Sequence, residues 1–490
     1  MSKPNIILIM SDQHKASMAG CYGDKLVKTP TIDSLAETGT VFDSAYTPSP
    51  LCAPARAALM TSQHVHEIEV WDNAAPLRSD WPTFAHSFRG AGYRTILCGK
   101  MHFVGADQMH GFEERWTQDI YPTGFNWTHR NRDHVYVPPR GTGQAIHRVH
   151  ESHTGWTKDM DYDEEIAFRA IYGLRRIARL KERRPLFMTI SFTGPHYPFA
   201  APQSYWDLYK DDEIPLPTIP GNYQDREHNY IPWFREYAHL DRETVPDEVI
   251  IRARHATLAR VTMIDDYLAR IFATLEEENL RKNTIIIYTS DHGEMLGEHG
   301  LWFKCTGYED SIRVPLIVSQ PPSNKTPPKR VTQPVSLLDL GPTMCGLAQI
   351  SQSYSPNSGI DHSKLLIGES KETTGKAIIE YYGDGTHRGW RVIRKGQYKL
   401  VYVPGFQPQL YNLATDPDEW NDIAHKPENN QILSELTEEI LENWNPSKCD
   451  EQRYLSEERR LAILKSWGDN PPNWEQPSTP IPHPTMPEPE

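Results

Sequence analysis

Apolar residues fall along the chain in short unbroken runs separated by longer stretches with helical spacing. The runs at 5–10, 95–98, 187–192, 284–289 and 316–319 read as strands. Helical patterns at 31–37, 83–90, 162–180 and 248–279 stand between them. In the last of these Leu258, Val261, Ile264, Leu268, Ile271 and Leu275 recur on one face. Strands alternating with helices in this way predict an α/β sheet. After about residue 370 the pattern changes to short runs at 377–382, 390–394 and 398–403, followed by helices at 431–444 and 457–467. That second region predicts a small antiparallel sheet with helices. The chain therefore divides into 1–370, 371–468 and a tail at 469–490 with eight prolines, which either wanders or lies extended across a surface.

Composition narrows the function. With 51 Lys and Arg against 65 Asp and Glu, the net charge of −14 argues against nucleic acid or an anionic membrane as partner. No apolar run approaches the roughly 20 residues needed to span a bilayer. The 6 cysteines form no regular framework and suit a reducing compartment, so a cytoplasmic protein is expected.

The strand ends carry the chemistry. In open α/β sheets ligands bind beyond the carboxyl ends of the strands. Here those ends run into Ser11-Asp12-Gln13, Gly99-Lys100-Met101-His102, Gly194-Pro195-His196 and Ser290-Asp291-His292. One Ser-Asp pair alone reads as a helix cap; four loaded ends together read as a site. Asp12, Gln13, Asp291 and His292 offer oxygen donors that favour Ca²⁺, Mg²⁺ or Mn²⁺, and the histidine moves the choice from Mg²⁺ towards Mn²⁺ or Zn²⁺. Separately, Cys52-Ala53-Pro54-Ala55-Arg56 precedes a helix-prone run. This puts Cys52 beside free backbone N–H groups at the positive end of a helix dipole, where a thiol pKa falls. Arg56, one turn on, reaches the same spot.

The stretch Cys52-Ala53-Pro54-Ala55-Arg56 resembles the signature of the formylglycine-dependent sulfatases, within the alkaline-phosphatase superfamily. Asp12, Gly99-Lys100-Met101-His102, Pro195-His196, Asp291-His292-Gly293-Glu294 and Lys304 follow in family order, as do Tyr398-Lys399-Leu400 and Leu410-Tyr411-Asn412-Leu413. Asp72-Asn73-Ala74-Ala75 and Asp119-Ile120-Tyr121-Pro122 are similar to the choline-sulfatase branch. The resemblance implies a large mixed central sheet sandwiched by helices, with a smaller C-terminal domain. It implies a sulfuric ester hydrolase in which a formylglycine-generating enzyme oxidises Cys52 to formylglycine. By the same resemblance Asp12, Gln13, Cys52, Asp291 and His292 hold a divalent metal, Ca²⁺ first, with Mn²⁺ or Mg²⁺ as alternatives. Arg56 and Lys100 position the nucleophile, Lys304 and His196 bind the sulfate, His196 protonates the leaving oxygen, and His102 acts as base. Many sulfatases carry aspartate at the position of Gln13 and asparagine at that of His292. The Asp-His pairing also occurs in choline sulfatases and phosphonate monoester hydrolases, so a phosphonate or phosphate ester hydrolase is the alternative. A non-catalytic binding homologue is the alternative of another class.

Asn73 and Trp127 match substrate-binding positions of the choline branch, which points to a small sulfate ester such as choline-O-sulfate. A basic island at 129–153, with five histidines and four arginines, points instead to a sugar sulfate or a carboxylated substrate, and His387 is expected to add to that polar rim. The Trp- and Pro-rich tail is expected to cross an interface between copies, making a homo-oligomer.

Overall fold

The computed structural model describes residues 3–128, 144–321, 329–353, 357–370, 373, 375–468, 470, 472–475 and 477–481. Its main sheet is built from β1 (Asn5–Asp12), β2 (Thr40–Phe42), β3 (Arg94–Gly99), β4 (Glu114–Arg115), β5 (Leu186–Pro195), β6 (Thr284–Ser290), β7 (Leu316–Ser319) and β8 (Lys329–Val331). The order is β8-β2-β7-β6-β1-β5-β3-β4. The neighbours from β6 through to β4 run parallel, whereas β7 is antiparallel to both β6 and β2, so the sheet is mixed.

The central strand is apolar throughout because both its faces are covered. Ile6, Leu8 and Met10 pack with Leu59 and Met60 of helix α2 (Cys52–Thr61), Phe84 and Phe88 of α3 (Phe84–Gly90), and Met344 further along the chain. Ile7 and Ile9 point the other way, against Ile32 of α1 (Pro30–Thr38), Ile166 of α4 (Lys158–Ala178) and Ile264 of α5 (Asp247–Glu277). Helix α4 begins four residues before the period predicts, with Asp159 and Asp161 in its first turn, where carboxylates favour the dipole.

The C-terminal region has a four-stranded antiparallel sheet of β9 (Lys376–Tyr381), β10 (Trp390–Lys395), β11 (Tyr398–Tyr402) and β12 (Gln409–Asn412). Sequence reading finds three of these and misses β12. Two helices follow, α6 (Asn430–Leu441) and α7 (Pro446–Trp467). Helix α7 starts eleven residues ahead of the expected 457, with Asn445 accepting a hydrogen bond from the Lys448 N–H at 3.0 Å. Its inward face is Cys449, Arg453, Ser456, Glu457 and Arg460, a helical stripe without a long aliphatic residue, so no apolar period announces it. Part of the tail lies extended: the Thr479 N–H donates to the Arg115 carbonyl at 2.6 Å beside the sheet edge.

Two buried histidines give stability a pH dependence. Burial pushes His110 and His299 from 6.5 down to about 4, so the native state keeps them neutral. The unfolded chain binds these protons first as pH falls. Their contribution is therefore complete above about pH 6.5 and is lost towards pH 4. Each is expected to cost on the order of 3 kcal/mol of stability across that window. Urea midpoints between pH 7 and 4 check this, with His110→Gln expected to flatten the slope.

Candidate active site

Four strands deliver their ends side by side. Asp12 ends β1 after an irregularity that pairs it with Pro195, and Ser11 lies opposite Ser290, just before Asp291. Gly99 closes β3 at φ +114, and a Cβ there would lie 2.0 Å from the Ser191 carbonyl oxygen. Only glycine fits this position. The turn brings Lys100 Nζ onto Asp12 Oδ2.

Arg56 is fully buried and ties these ends together. Its Nη2 donates to Asp12 at 2.9 Å and its Nε to Asp291 at 2.7 Å. Nη1 donates to the Lys100 carbonyl at 2.7 Å and to Ser191 Oγ at 2.9 Å. Burial raises the Asp12 carboxyl, but neighbouring positive charge, Lys100 foremost and Arg56 with it, holds it well below the usual carboxylate range. Cys52 begins α2, and its Sγ lies 3.2 Å from His292 Nε2. His292 Nδ1 donates to the Gly293 carbonyl at 3.1 Å, which fixes the ring and turns Nε2 towards the sulfur. Burial and Asp12 oppose ionisation of this thiol, yet Lys100, Lys304 and His292 bring its pKa well below the ordinary value.

Above this layer sits a second one. Lys304 Nζ donates to Gln13 Oε1 at 2.7 Å and to His196 Nε2 at 2.8 Å. His196 Nδ1 in turn donates to the Tyr197 carbonyl at 2.6 Å. Burial and the Lys304 charge push His196 down to about 4. The imidazole is thus neutral with its proton facing away, and Lys304 carries the protons at this point. Gln13 Nε2 is held by buried Glu294, whose other oxygen accepts from the Leu296 and Phe303 N–H groups.

A pocket of about 180 Å³ opens over Cys52, His196 and Lys304, walled by Asn73, His102, Tyr121 and Trp127 and reaching Asp159. The His102 ring packs 4.9 Å from Tyr121 and 5.6 Å from Trp127, and neither of its nitrogens has a hydrogen-bond partner among the described residues. Asn73 Oδ1 accepts the Ala53 N–H at 2.9 Å, satisfying one of the free donors at the start of α2.

Comparison with known proteins gives this geometry a family. The sequence profile described as Sulfatase matches residues 4–350, and that of the N-sulphoglucosamine sulphohydrolase C-terminal region matches 297–445. A choline-sulfatase of Rhizobium meliloti (strain 1021) is 37% identical over 482 residues, covering 95% of this chain and 91% of that one. The chain belongs to the sulfatase family. An uncharacterised sulfatase, YidJ, of Escherichia coli (strain K12) is 30% identical over 455 residues, covering 90% and 87%. A phosphonate monoester hydrolase of Agrobacterium radiobacter superposes with a TM-score of 0.73 at 23% identity, covering 90% and 95%, and shares the fold.

Asp12, Cys52, Asp291 and His292 of this sulfatase present ligand atoms all within 4.8 Å of one another, and all four are buried. Buried carboxylates that converge in this way need compensating positive charge. Two carboxylates and an imidazole suit a divalent cation, so the residues fit one. Gln13 Oε1 accepts from Lys304 Nζ at 2.7 Å.

Of the sequence-derived candidates, Cys52, Asn73, His102, Trp127, His196 and Lys304 line the pocket, with Asp12, Gln13, Arg56, Lys100, Asp291 and His292 at its floor. His387 is not brought there. Its ring stacks on Trp233 at 4.6 Å in a separate cleft with Arg388 and Phe406, and its carbonyl is held by Arg453. Within the basic island, residues 129–143 lie outside the described residues; of the described part Gln144 and Arg148 line the pocket, and Arg148 is ion-paired with Glu151 at 2.9 Å. Sequence reasoning missed Ser191, Asp119, Tyr121 and Glu294 as parts of the site. Asp119 accepts the Met101 and His102 N–H groups, and Lys100 Nζ sits 4.1 Å from the centre of the Tyr121 ring. The Asp119–Pro122 motif carried the signal for two of them; a lone serine inside a strand carries none.

Among the described residues no helix is long and apolar enough to cross a membrane.

Proposed function

We propose that this sulfatase hydrolyses a small organosulfate, with choline-O-sulfate or a close analogue as the first candidate and a sugar sulfate as the second. The reading includes formylglycine at Cys52 and a divalent cation, Ca²⁺ first, held by Asp12, Gln13, Asp291 and His292. The observation that carries it is Cys52 at a helix start directly over the Asp12–Asp291–His292 cluster, flanked by Lys100 and Lys304. When bound, the cation supplies positive charge that lowers a hydroxyl pKa.

The chain's own residues do the rest. Arg56 fixes the two carboxylates in place, and Lys100 and Lys304 neutralise sulfuryl oxygens. Lys304 and His196, hydrogen-bonded to each other at 2.8 Å, bind the sulfate, and His196, charged when the anionic ester binds, passes a proton to the leaving oxygen. His102, with both nitrogens unengaged among the described residues, accepts the proton that restores the nucleophile. Tyr121 and Trp127 offer aromatic faces and Asp159 a carboxylate, a combination suited to a quaternary ammonium group.

The test compares kcat/KM for choline-O-sulfate, sulfated monosaccharides and a phosphonate monoester, using matured enzyme with Cys52→Ala as control. Choline-O-sulfate is expected to lead by about 100-fold, close to 3 kcal/mol of transition-state preference. A lead for the phosphonate overturns the sulfate reading, and a lead for a sugar sulfate moves the substrate to the second candidate. Chelation provides a separate check. Exhaustive treatment with EDTA is expected to abolish turnover and Ca²⁺ to restore it; full activity without metal would remove the cation from the reading.

A further inference from the structure

Arg460 lies on α7, nearly four hundred residues from the pocket wall in sequence, yet it touches both sides of that wall from behind. Its Nη1 and Nη2 each donate to Asp72 at 2.7 Å, a bidentate pair with side-chain exposures of 3% and 0%. Nη1 also lies 3.2 Å from Thr128 Oγ1. Asp72 precedes Asn73, which caps the helix of Cys52, and Thr128 follows Trp127. Asp72 Oδ1 further accepts the Ala74 N–H at 2.8 Å, so the carboxylate pins the turn that presents Asn73.

The same helix supports this wall at its end. Trp467 stacks on Phe125 at 5.5 Å, and Trp474 of the tail packs against both rings. The Thr128 N–H closes back onto the Phe125 carbonyl at 2.9 Å, making 125–128 one tight turn clamped by α7 and the tail.

We propose that Arg460 is a positioning residue that fixes Asn73 and Trp127 relative to each other, so that α7 sets how tightly the organic part of the ester is held. The planar fork matters, because lysine cannot span Asp72 and Thr128 at once. This rests on the reading that the Trp127 pocket receives the ester.

The test uses the full-length matured enzyme with Arg460→Met, Arg460→Lys and Thr128→Val. Turnover of choline-O-sulfate and 4-nitrophenyl sulfate, competitive inhibition by inorganic sulfate, and hydrogen exchange of 70–75 and 119–128 are measured. Arg460→Met is expected to raise KM about 10-fold with kcat within about 3-fold and sulfate inhibition unchanged. Exchange is expected to rise in both segments, with Arg460→Lys giving only partial recovery. Thr128→Val is expected to loosen 119–128 alone and to give part of the KM effect. It carries the test by itself if Arg460→Met does not fold. Unchanged exchange in both segments overturns the proposal, as does a loss of kcat and sulfate binding with KM unaltered. If the wild-type enzyme cleaves no sulfate ester, the functional reading falls, and the exchange data still decide the role of Arg460.

Discussion

Replacing Cys52 by alanine is expected to lower turnover by on the order of 10⁴-fold or more while leaving the fold intact. The side chain is small, buried against His292 and Asp12, and alanine fits without new contacts. Its loss relieves one source of negative charge beside Asp12, so the variant should melt at or near the wild-type temperature. The functional loss then separates cleanly from any structural one. Cys52→Ser distinguishes a hydroxyl nucleophile from an aldehyde hydrate. A serine that retains most of the activity would refute the formylglycine step, and so would absence of a hydrazine-reactive aldehyde on the Cys52 peptide of active enzyme.

The largest structural effect is expected at Arg56. Its guanidinium satisfies Asp12, Asp291, Ser191 and the Lys100 carbonyl at once, with no solvent to replace it. Arg56→Met removes the partner of two buried carboxylates. It is expected to destabilise the protein by about 3–5 kcal/mol, the range for breaking a buried ion pair from one side. Arg56→Lys keeps the charge but reaches only one carboxylate, and should recover part of the stability and little of the activity. Urea midpoints in excess Ca²⁺ check this. A loss below about 1 kcal/mol in both variants would mean that other charges already balance the cluster.

The site was legible where the chemistry sits at the end of an apolar run. Ile6 to Met10, 187–192 and 284–289 are continuous hydrophobic stretches because helices cover both faces, and each stops within a few residues of one that acts. What supports those residues was much less visible. Ser191 sits inside a strand, and Glu294, although it closes the Asp291–Glu294 motif, shows nothing in sequence of its hold on Gln13. Helix α7 hid the first half of its length because arginines dock it: Arg453 donates to the Tyr382 and His387 carbonyls and Arg460 to Asp72. His387 was placed by its nearness in sequence to a polar loop, and an aromatic stack decided otherwise.

The strand at the centre of the sheet is also the first of that sheet's strands to be synthesised. β1 pairs with residues 186–195 on one side and 284–290 on the other, so most of the chain must leave the ribosome before its edges and both apolar faces are covered. During that interval an Ile-Ile-Leu-Ile-Met segment is open to aggregation, and a nascent chain stalled before residue 280 should depend on chaperones to stay in solution. Cys52, only 1% exposed once folding is complete, is accessible over the same interval. If Cys52 is oxidised to formylglycine as proposed, the enzyme that acts on it competes with folding, and the fraction of active molecules then becomes a matter of timing during synthesis.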